Sequence, residues 1–293
     1  MPPLASILAL STVALWSFLA FLAAQVNHLP PFLVVAVALI VSGLLSTFRI
    51  ADWRVPAITL LVGIGGIFGY HFLYFSAFKY APAVEANLMN YLWPLLIVLL
   101  SPLYLPGFPL RSHHLLGAFL GLAGAGLIIT GGRFSLDLLH LKGYLLAAGA
   151  AFTWASYSLL TKRLPPFPSG AVGAFCLASG LLSYGAYLLT SPTIGLSDLS
   201  RRDWISLILL GIGPMGLAFF TWDAALKRGD PRIIGSLAYL TPLTSTLVLV
   251  LLGGQHMTWL SVIAMLLIVS GAVIGSWELI SPALRDKLKP VVE

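Results

Sequence analysis

The chain has 293 residues, of which 59% are hydrophobic and 9% are charged. Because a soluble domain carries roughly 25% charged residues, this composition excludes a water-soluble globular protein. The formal net charge of +6 comes from basic residues at the ends of apolar segments, without a long basic cluster. We therefore expect contact with the cytoplasmic face of a membrane and no binding of nucleic acid.

Long runs without Asp, Glu, Lys or Arg predict membrane-spanning helices. A helix needs about 20 apolar residues to cross the ~30 Å hydrocarbon core. The charge-free runs 1–48 and 233–277 are each long enough for two crossings, and each has polar residues near its middle. In chain order the predicted spans are 4–26, 30–48, 56–79, 82–101, 113–130, 142–161, 168–190, 204–226, 231–252 and 258–279. The predicted fold is an all-α membrane protein with ten transmembrane helices.

The cations between the spans predict the orientation. If the N terminus is cytoplasmic, the cytoplasmic segments hold 11 Lys and Arg residues and the opposite segments hold 5. Because cytoplasmic loops carry an excess of Lys and Arg, both termini are expected in the cytoplasm. The basic segment 281–293 is then a cytoplasmic tail. The start of the chain lacks a basic region, so it is interpreted as a first span and not as a cleaved signal peptide.

Short sequence matches recur in the same order in the two halves of the chain. "GIG" at 63–65 recurs at 211–213, and "YLWPL" at 91–95 recurs as "YLTPL" at 239–243, both at an offset of 148 residues. These matches predict two five-span repeats, 1–135 and 136–280. Because five is odd, the second repeat enters the membrane from the opposite side. Inverted repeats of this kind are typical of transporters, with the substrate site near the midplane at the repeat interface.

With these features the sequence resembles the drug/metabolite transporter superfamily in its ten-span EamA-type arrangement. The resemblance rests on the two five-span halves, the mid-span prolines of "YLWPL" and "YLTPL", and the Gly-rich fifth and tenth spans. The stretch "NYLWPLLIVLLSP" at 90–102 resembles the aromatic amino acid exporter (YddG-like) branch. The resemblance implies an inner-membrane carrier that exports aromatic amino acids by alternating access.

Aromatic and amide side chains inside the spans predict a central cavity. Trp16 and Trp154 match across the repeat and lie deeper than the membrane interface, where Trp is usually enriched. Such a cavity suits a flat apolar solute with a zwitterionic group, although packing between helices would also explain these residues. The predicted cavity residues are Trp16, Tyr70, His71, Tyr74, Asn87, Asn90, Tyr91, Trp93, Trp154, Tyr157, Trp222 and Tyr239.

Two prolines and two titratable residues are candidates for a dynamic role. Pro94 and Pro242 lie mid-span, where proline removes a backbone hydrogen bond, so each is predicted to be either a hinge or a static kink. Glu85 and His71 are the candidates for proton coupling, because ionisable residues inside a membrane are usually functional. No deep unpaired carboxylate stands out, which favours facilitated diffusion or exchange.

The sequence contains no signal for catalysis or for a cofactor. It lacks a phosphate-binding loop and a metal motif, and its single Cys176 makes a thiolate metal site improbable. The expected partners are a small-molecule solute and the lipid bilayer; the oligomeric state is left open, and a monomer is compatible with the sequence. Two alternatives remain: a broader drug or metabolite exporter, and an integral-membrane enzyme that modifies lipids.

Overall fold

The computed structural model describes residues 1–133, 136–190, 194–254 and 258–277, and within these ranges the chain is helical without a β-strand. The predicted tail at 281–293 lies outside the described residues. The α-helices are α1 (Pro3–Trp16), α2 (Leu19–Gln25), α3 (Pro31–Leu44), α4 (Ala57–Ala77), α5 (Ala83–Asn90), α6 (Trp93–Tyr104), α7 (Ser112–Thr130), α8 (Leu141–Arg163), α9 (Val172–Thr190), α10 (Arg201–Ile212), α11 (Ala218–Arg228), α12 (Pro231–Ala238), α13 (Leu240–Gly253) and α14 (Trp259–Gly275). A π-helical turn, Gly213–Leu217, joins α10 to α11.

Seven segments of the described chain are long and apolar enough to cross a membrane. They are Pro3–Gln25, Ala57–Ala77, Ala83–Tyr104, Ser112–Thr130, Ser169–Thr190, Arg201–Arg228 and Pro231–Leu252. An eighth is obtained if α3 and the following 3-10 helix Thr47–Trp53, bent by 86° from it, form one broken span. The remaining two predicted spans coincide with α8 and with the 17-residue α14. The prediction of ten spans therefore stays a prediction.

Several spans are interrupted, and most of the interruptions lie next to a proline. Pro94 follows the break at Tyr91–Leu92 between α5 and α6, and Pro242 follows the break at Tyr239 between α12 and α13. Pro214 lies within the π-helical turn between α10 and α11. Because proline cannot donate a backbone hydrogen bond, each removes a bond that would hold the preceding turn.

The tetrapeptide LPPF occurs twice, at 29–32 and at 164–167, and its two copies adopt different conformations. In the first copy Pro31 is the first residue of α3, a position where proline is well tolerated. In the second copy the chain is extended, and α9 begins only at Val172 after a short 3-10 turn. Lys227 holds this segment, since its Nζ donates to the Phe167 carbonyl at 3.0 Å and lies over the Phe167 ring.

The main helix pairs follow a regular pattern across the two halves. α3 packs against α9 and α7 against α14, while α4 packs against α8 and α1 against α11. In the order of the predicted spans these pairs are 2 with 7, 5 with 10, 3 with 6, and 1 with 8, so exchanging the halves reproduces the set. Small residues allow close approach, as in membrane helix pairs generally. A Cβ on Gly117 would lie 2.5 Å from the Gly275 Cα.

Candidate functional site

A cavity of about 160 Å³ lies at the centre of the helix bundle, where the interrupted spans meet. Its walls come from α1, α2, α4, α5, α6, α8, α11 and α13, and from the breaks in the fourth and eighth predicted spans. The residues that line it are Trp16, Leu19, Tyr70, His71, Tyr74, Phe75, Asn87, Asn90, Tyr91, Trp93, Trp154, Pro214, Met215, Phe219 and Thr241. Eight of these fifteen are Trp, Tyr or Phe, so the surface that a solute would meet is predominantly aromatic.

Nine of the twelve residues predicted for a cavity line this one, and the other three lie behind its wall. Tyr157 packs against Trp154 with ring centroids 5.5 Å apart, and Trp222 packs against Trp16 at 5.1 Å. Tyr239 is completely buried in a separate cluster of apolar residues. These three residues can support the cavity wall but do not face its interior.

Four tryptophans from four helices form a cluster at the base of the cavity: Trp16, Trp93, Trp154 and Trp222. Trp16 lies 5.7 Å from Trp93 and 6.2 Å from Trp154 between ring centroids, in edge-to-face geometry. Trp222 lies 5.6 Å from Trp93, nearly perpendicular to it. Edge-to-face ring pairs stabilise by about 0.5–1.5 kcal/mol each beyond burial, so these contacts stabilise the packing of the four helices against one another.

The indole nitrogens at the base of the cavity bind groups of other helices. The Trp16 Nε1 donates to the Pro214 carbonyl at 3.1 Å, and the Trp222 Nε1 donates to the Ser158 Oγ at 3.0 Å. The first bond connects α1 to the π-helical turn, which presents Pro214 and Met215 to the cavity. The Trp16 indole, deep in a span, is thus hydrogen-bonded to a carbonyl that a helix interruption leaves free.

α4 supplies the longest aromatic wall of the cavity. The rings of Tyr70 and Tyr74 stack at 5.8 Å, and Tyr70 also lies 5.2 Å from Trp154. His71 is buried, and its Nδ1 lies 2.7 Å from the Ile67 carbonyl oxygen. Because a carbonyl only accepts, this contact places a proton on Nδ1 and leaves Nε2 able to exchange one.

Apart from the His71 imidazole, the polar side-chain groups of the cavity are amides and hydroxyls. The Tyr74 hydroxyl donates to the Asn87 Oδ1 at 2.9 Å, and the Asn90 Nδ2 donates to the Tyr70 hydroxyl at 3.2 Å. Among the described residues, neither the Asn90 Oδ1 nor the Thr241 Oγ1 has a hydrogen-bond partner, although both atoms are buried. A buried polar atom without a partner costs about 1–3 kcal/mol, so a ligand that satisfies it gains affinity.

The predicted hinges border the cavity, whereas one of the two predicted coupling residues does not. Pro94 and Pro242 are early residues of α6 and α13 and follow the cavity-lining Trp93 and Thr241 directly. Glu85 lies in the first turn of α5 and accepts a hydrogen bond from the Tyr144 hydroxyl, outside the cavity. Within the described residues no group of three or more His, Cys, Asp or Glu side chains could hold a metal ion.

Six lining residues were not predicted from the sequence: Leu19, Phe75, Pro214, Met215, Phe219 and Thr241. Two of them had a signal, because Phe219 and Thr241 lie 148 residues after His71 and Trp93 and are their repeat counterparts. Phe75 lies four residues after His71, on the same helix face. Pro214 and Met215 reach the cavity through the π-helical turn; a mid-span proline indicates an interruption but not its π-helical form.

The cavity is closed at one end by contacts between the two halves. α6 packs against α12, and a Cβ on Gly235 would lie 3.1 Å from the Pro94 carbonyl oxygen. At the same end, within the second half of the chain, the Lys162 Nζ donates to the carbonyls of Leu226 at 2.9 Å and Gly229 at 2.6 Å. At the other end α5 packs against α7 and α8. α6 of the fourth predicted span therefore meets α12 of the ninth, whereas α5 and α13 diverge.

Comparison with known proteins identifies the family. The model of the EamA-like transporter family matches residues 3–130 and 141–277. The aromatic amino acid exporter YddG of Ancylobacter novellus is 40% identical over 93% of this chain and 96% of its own length. A probable amino-acid metabolite efflux pump of Salmonella typhimurium is 26% identical over 92% of this chain and 93% of its length. A crystal structure with 39% identity has a TM-score of 0.89 and covers 96% of this chain and 97% of its own.

These similarities confirm the resemblance inferred from the sequence, and they indicate a transporter and not an enzyme. Together with several long apolar helices they establish a multi-pass membrane protein. The chain belongs to the EamA-like transporter family, and it is a YddG-like membrane exporter of the drug/metabolite transporter superfamily.

Proposed function

We propose that the protein exports aromatic amino acids across the inner membrane by alternating access to the central cavity. The observation that carries this proposal is the lining of the cavity, which combines eight Trp, Tyr and Phe rings with two buried polar atoms that have no hydrogen-bond partner in the described part of the chain. The name of the relative from Ancylobacter novellus, an aromatic amino acid exporter, supports the same substrate class.

The aromatic lining favours a flat solute over a branched aliphatic one. Ring pairs at 4.5–7 Å contribute about 0.5–1.5 kcal/mol each beyond the burial of apolar area. Phe, Tyr and Trp can form such pairs with Tyr70, Trp154 and Phe219, whereas Leu gains only from burial. Two ring pairs would therefore favour Phe over Leu by roughly tenfold or more.

The polar atoms of the cavity suit the amino and carboxyl groups of an amino acid. The Asn90 Oδ1 is an acceptor, which can bind an ammonium group, and the Thr241 hydroxyl can donate to a carboxylate. These residues lie on the fourth and ninth predicted spans, so a bound amino acid would contact both halves of the chain. A solute held in this way would be released when the halves separate.

Three observations support ten spans in two inverted halves. Helices occupy all ten predicted segments in the described chain, and the family model matches 3–130 and 141–277 separately. The pairs of packed helices reproduce themselves when the halves are exchanged. We place both termini in the cytoplasm because of the distribution of Lys and Arg, which puts the closed end of the cavity at the cytoplasmic face.

Transport is proposed to proceed as facilitated diffusion or exchange. Glu85 lies outside the cavity and binds Tyr144, so His71 is the coupling candidate that a solute can reach. Should transport depend on a proton gradient, His71 Nε2 would be the first group to test. A broader export of metabolites is the second candidate function, supported by the relative named a probable amino-acid metabolite efflux pump.

Uptake into liposomes tests the proposal. Purified protein is reconstituted, and uptake of labelled Phe, Leu and a phosphorylated sugar is measured with and without a pH gradient. We expect Phe to enter faster than Leu, the sugar phosphate to be excluded, and the pH gradient to have little effect. Failure to move any of these solutes would reject the carrier, and equal rates for Phe and Leu would reject the aromatic preference in favour of the broader exporter.

A further inference from the structure

The break between α5 and α6 is bridged by a side chain from the other half of the chain. The Tyr239 hydroxyl accepts a hydrogen bond from the Leu95 amide at 3.1 Å and donates one to the Tyr91 carbonyl at 3.3 Å. In an uninterrupted α-helix the Leu95 amide would bond to the Tyr91 carbonyl directly, because these residues are four apart. The Tyr239 hydroxyl is therefore inserted into the hydrogen-bond ladder of the fourth predicted span.

This insertion accounts for the break together with Pro94. A side chain that enters the backbone ladder is a recognised cause of a sharp bend, and Pro94 removes the next donor. The surrounding side chains hold Tyr239 in this position, because its side chain is completely buried. Gly121 of α7 faces its ring, and a Cβ at this position would overlap it.

The residue equivalent to Tyr239 in the first half is Tyr91, and the two are in different states. Both are the first residue of the repeated motif, "YLWPL" and "YLTPL". Tyr91 is half-buried and lines the cavity, whereas Tyr239 is withdrawn from it. The ninth predicted span is also less interrupted, because Tyr239 alone separates α12 from α13, while Tyr91 and Leu92 separate α5 from α6.

We propose that Tyr239 and Tyr91 are a reciprocal pair of wedges that hold the two conformations of the carrier. In the conformation described here, the Tyr239 hydroxyl keeps the fourth span broken. In the conformation open to the opposite side, the Tyr91 hydroxyl enters the ladder of the ninth span between Leu243 and Tyr239, and Tyr239 returns to the cavity. This inference rests on the proposed alternating access of two inverted halves.

The proposal predicts the sign of two conservative substitutions. In Tyr239→Phe the Leu95 amide and the Tyr91 carbonyl lose their partner and can only bond to each other, which straightens the fourth span. A hydrogen bond contributes about 1 kcal/mol net, so the ratio of the two conformations should change by about fivefold towards the opposite one. Tyr91→Phe should shift the ratio the other way, and the double variant should return towards the wild-type ratio.

Distances between spin labels measure this ratio. Labels on Val84→Cys in α5 and Leu252→Cys in α13 report the divergence of the two outer halves, and both positions are exposed. Without solute, Tyr239→Phe should increase the population of short distances, and adding Tyr91→Phe should reverse this increase. Gly121→Ala, which forces the Tyr239 ring to move, should act in the same direction as Tyr239→Phe. Gly121→Ala therefore tests the role of Tyr239 a second time without removing its hydroxyl group.

Two matched controls separate the wedge from general loss of structure. Tyr187→Phe removes another buried tyrosine hydroxyl, which donates to the Ile194 carbonyl, and Gly126→Ala adds a Cβ to the same helix at ordinary contact distance. Both should leave the distances unchanged. The proposal is overturned if Tyr239→Phe matches the wild type, or if the double variant matches Tyr239→Phe. A wild type that moves no solute in liposomes rejects the carrier function instead.

Discussion

At the scale of single residues, the cavity depends on aromatic side chains that are held by one another. Trp154 is buried and its ring lies between 5.2 and 6.5 Å from the rings of Tyr70, Phe219 and Trp93. The same helix also carries Phe152, which is 49% exposed on its outer surface. Comparing substitutions at these two positions separates the effect of changing the cavity from the effect of losing an aromatic side chain in α8.

We expect Trp154→Ala to reduce Phe transport at least about tenfold, because several ring contacts of about 0.5–1.5 kcal/mol each are lost. Phe152→Ala is the matched control and should retain transport. The measurement is uptake of labelled Phe into liposomes, normalised to the amount of folded protein. Equal transport by Trp154→Ala and the wild type would show that Trp154 does not bind the solute.

The repeat made many of the cavity residues predictable at this scale. Trp16 and Trp154 could be identified because they occupy equivalent positions in the two repeats. The same rule applied to His71 and Trp93 would have identified Phe219 and Thr241. It could not have separated Tyr91 from Tyr239, because the two halves have the same motif but adopt different conformations.

At the scale of elements, glycines determine how closely the helices pack. α4 and α8 meet where the ring of Tyr157 lies against Gly66, and a Cβ on Gly66 would overlap that ring. The adjacent Gly65 has open space around the position of a Cβ. Substitution by alanine is therefore expected to have opposite effects on stability at these two neighbouring positions of α4.

Gly66→Ala is expected to destabilise the protein by about 1–3 kcal/mol, because overpacking forces α4 and α8 apart. Gly65→Ala should be neutral or stabilising, since Ala is favoured over Gly in a helix by about 1 kcal/mol. Thermal unfolding in detergent distinguishes them, with a decrease of at least about 3 °C for Gly66→Ala alone. The same midpoint for both variants would contradict the packing described for this helix pair.

The helices themselves were largely predictable, but their interruptions were not. Charge-free runs place helices at all ten predicted positions because apolar length is a direct requirement of the membrane. Pro94 and Pro242 indicated two of the breaks. The break at Ser17–Phe18 has no proline, and the π-helical turn at Gly213–Leu217 depends on contacts such as that of Trp16 with Pro214, which form only in the folded bundle.

At the scale of the whole molecule, the two halves enclose one site that is closed at one end. α6 packs against α12 at that end, and Lys162 binds the carbonyls of Leu226 and Gly229 there. Lys162 also precedes the second copy of LPPF, so the proposed cytoplasmic position of this end agrees with the distribution of cations. Exchanging the conformations of the halves would open this end and close the other.

Counterflow in liposomes tests the central claim, which is that one aromatic site is exposed alternately to the two sides of the membrane. Liposomes containing the wild-type protein are preloaded with unlabelled Phe, Trp or Leu and diluted into a trace of labelled Phe. We expect transient accumulation of label after preloading with Phe or Trp and little after preloading with Leu. Absence of accumulation with every preload, or equal accumulation with Leu, would contradict it.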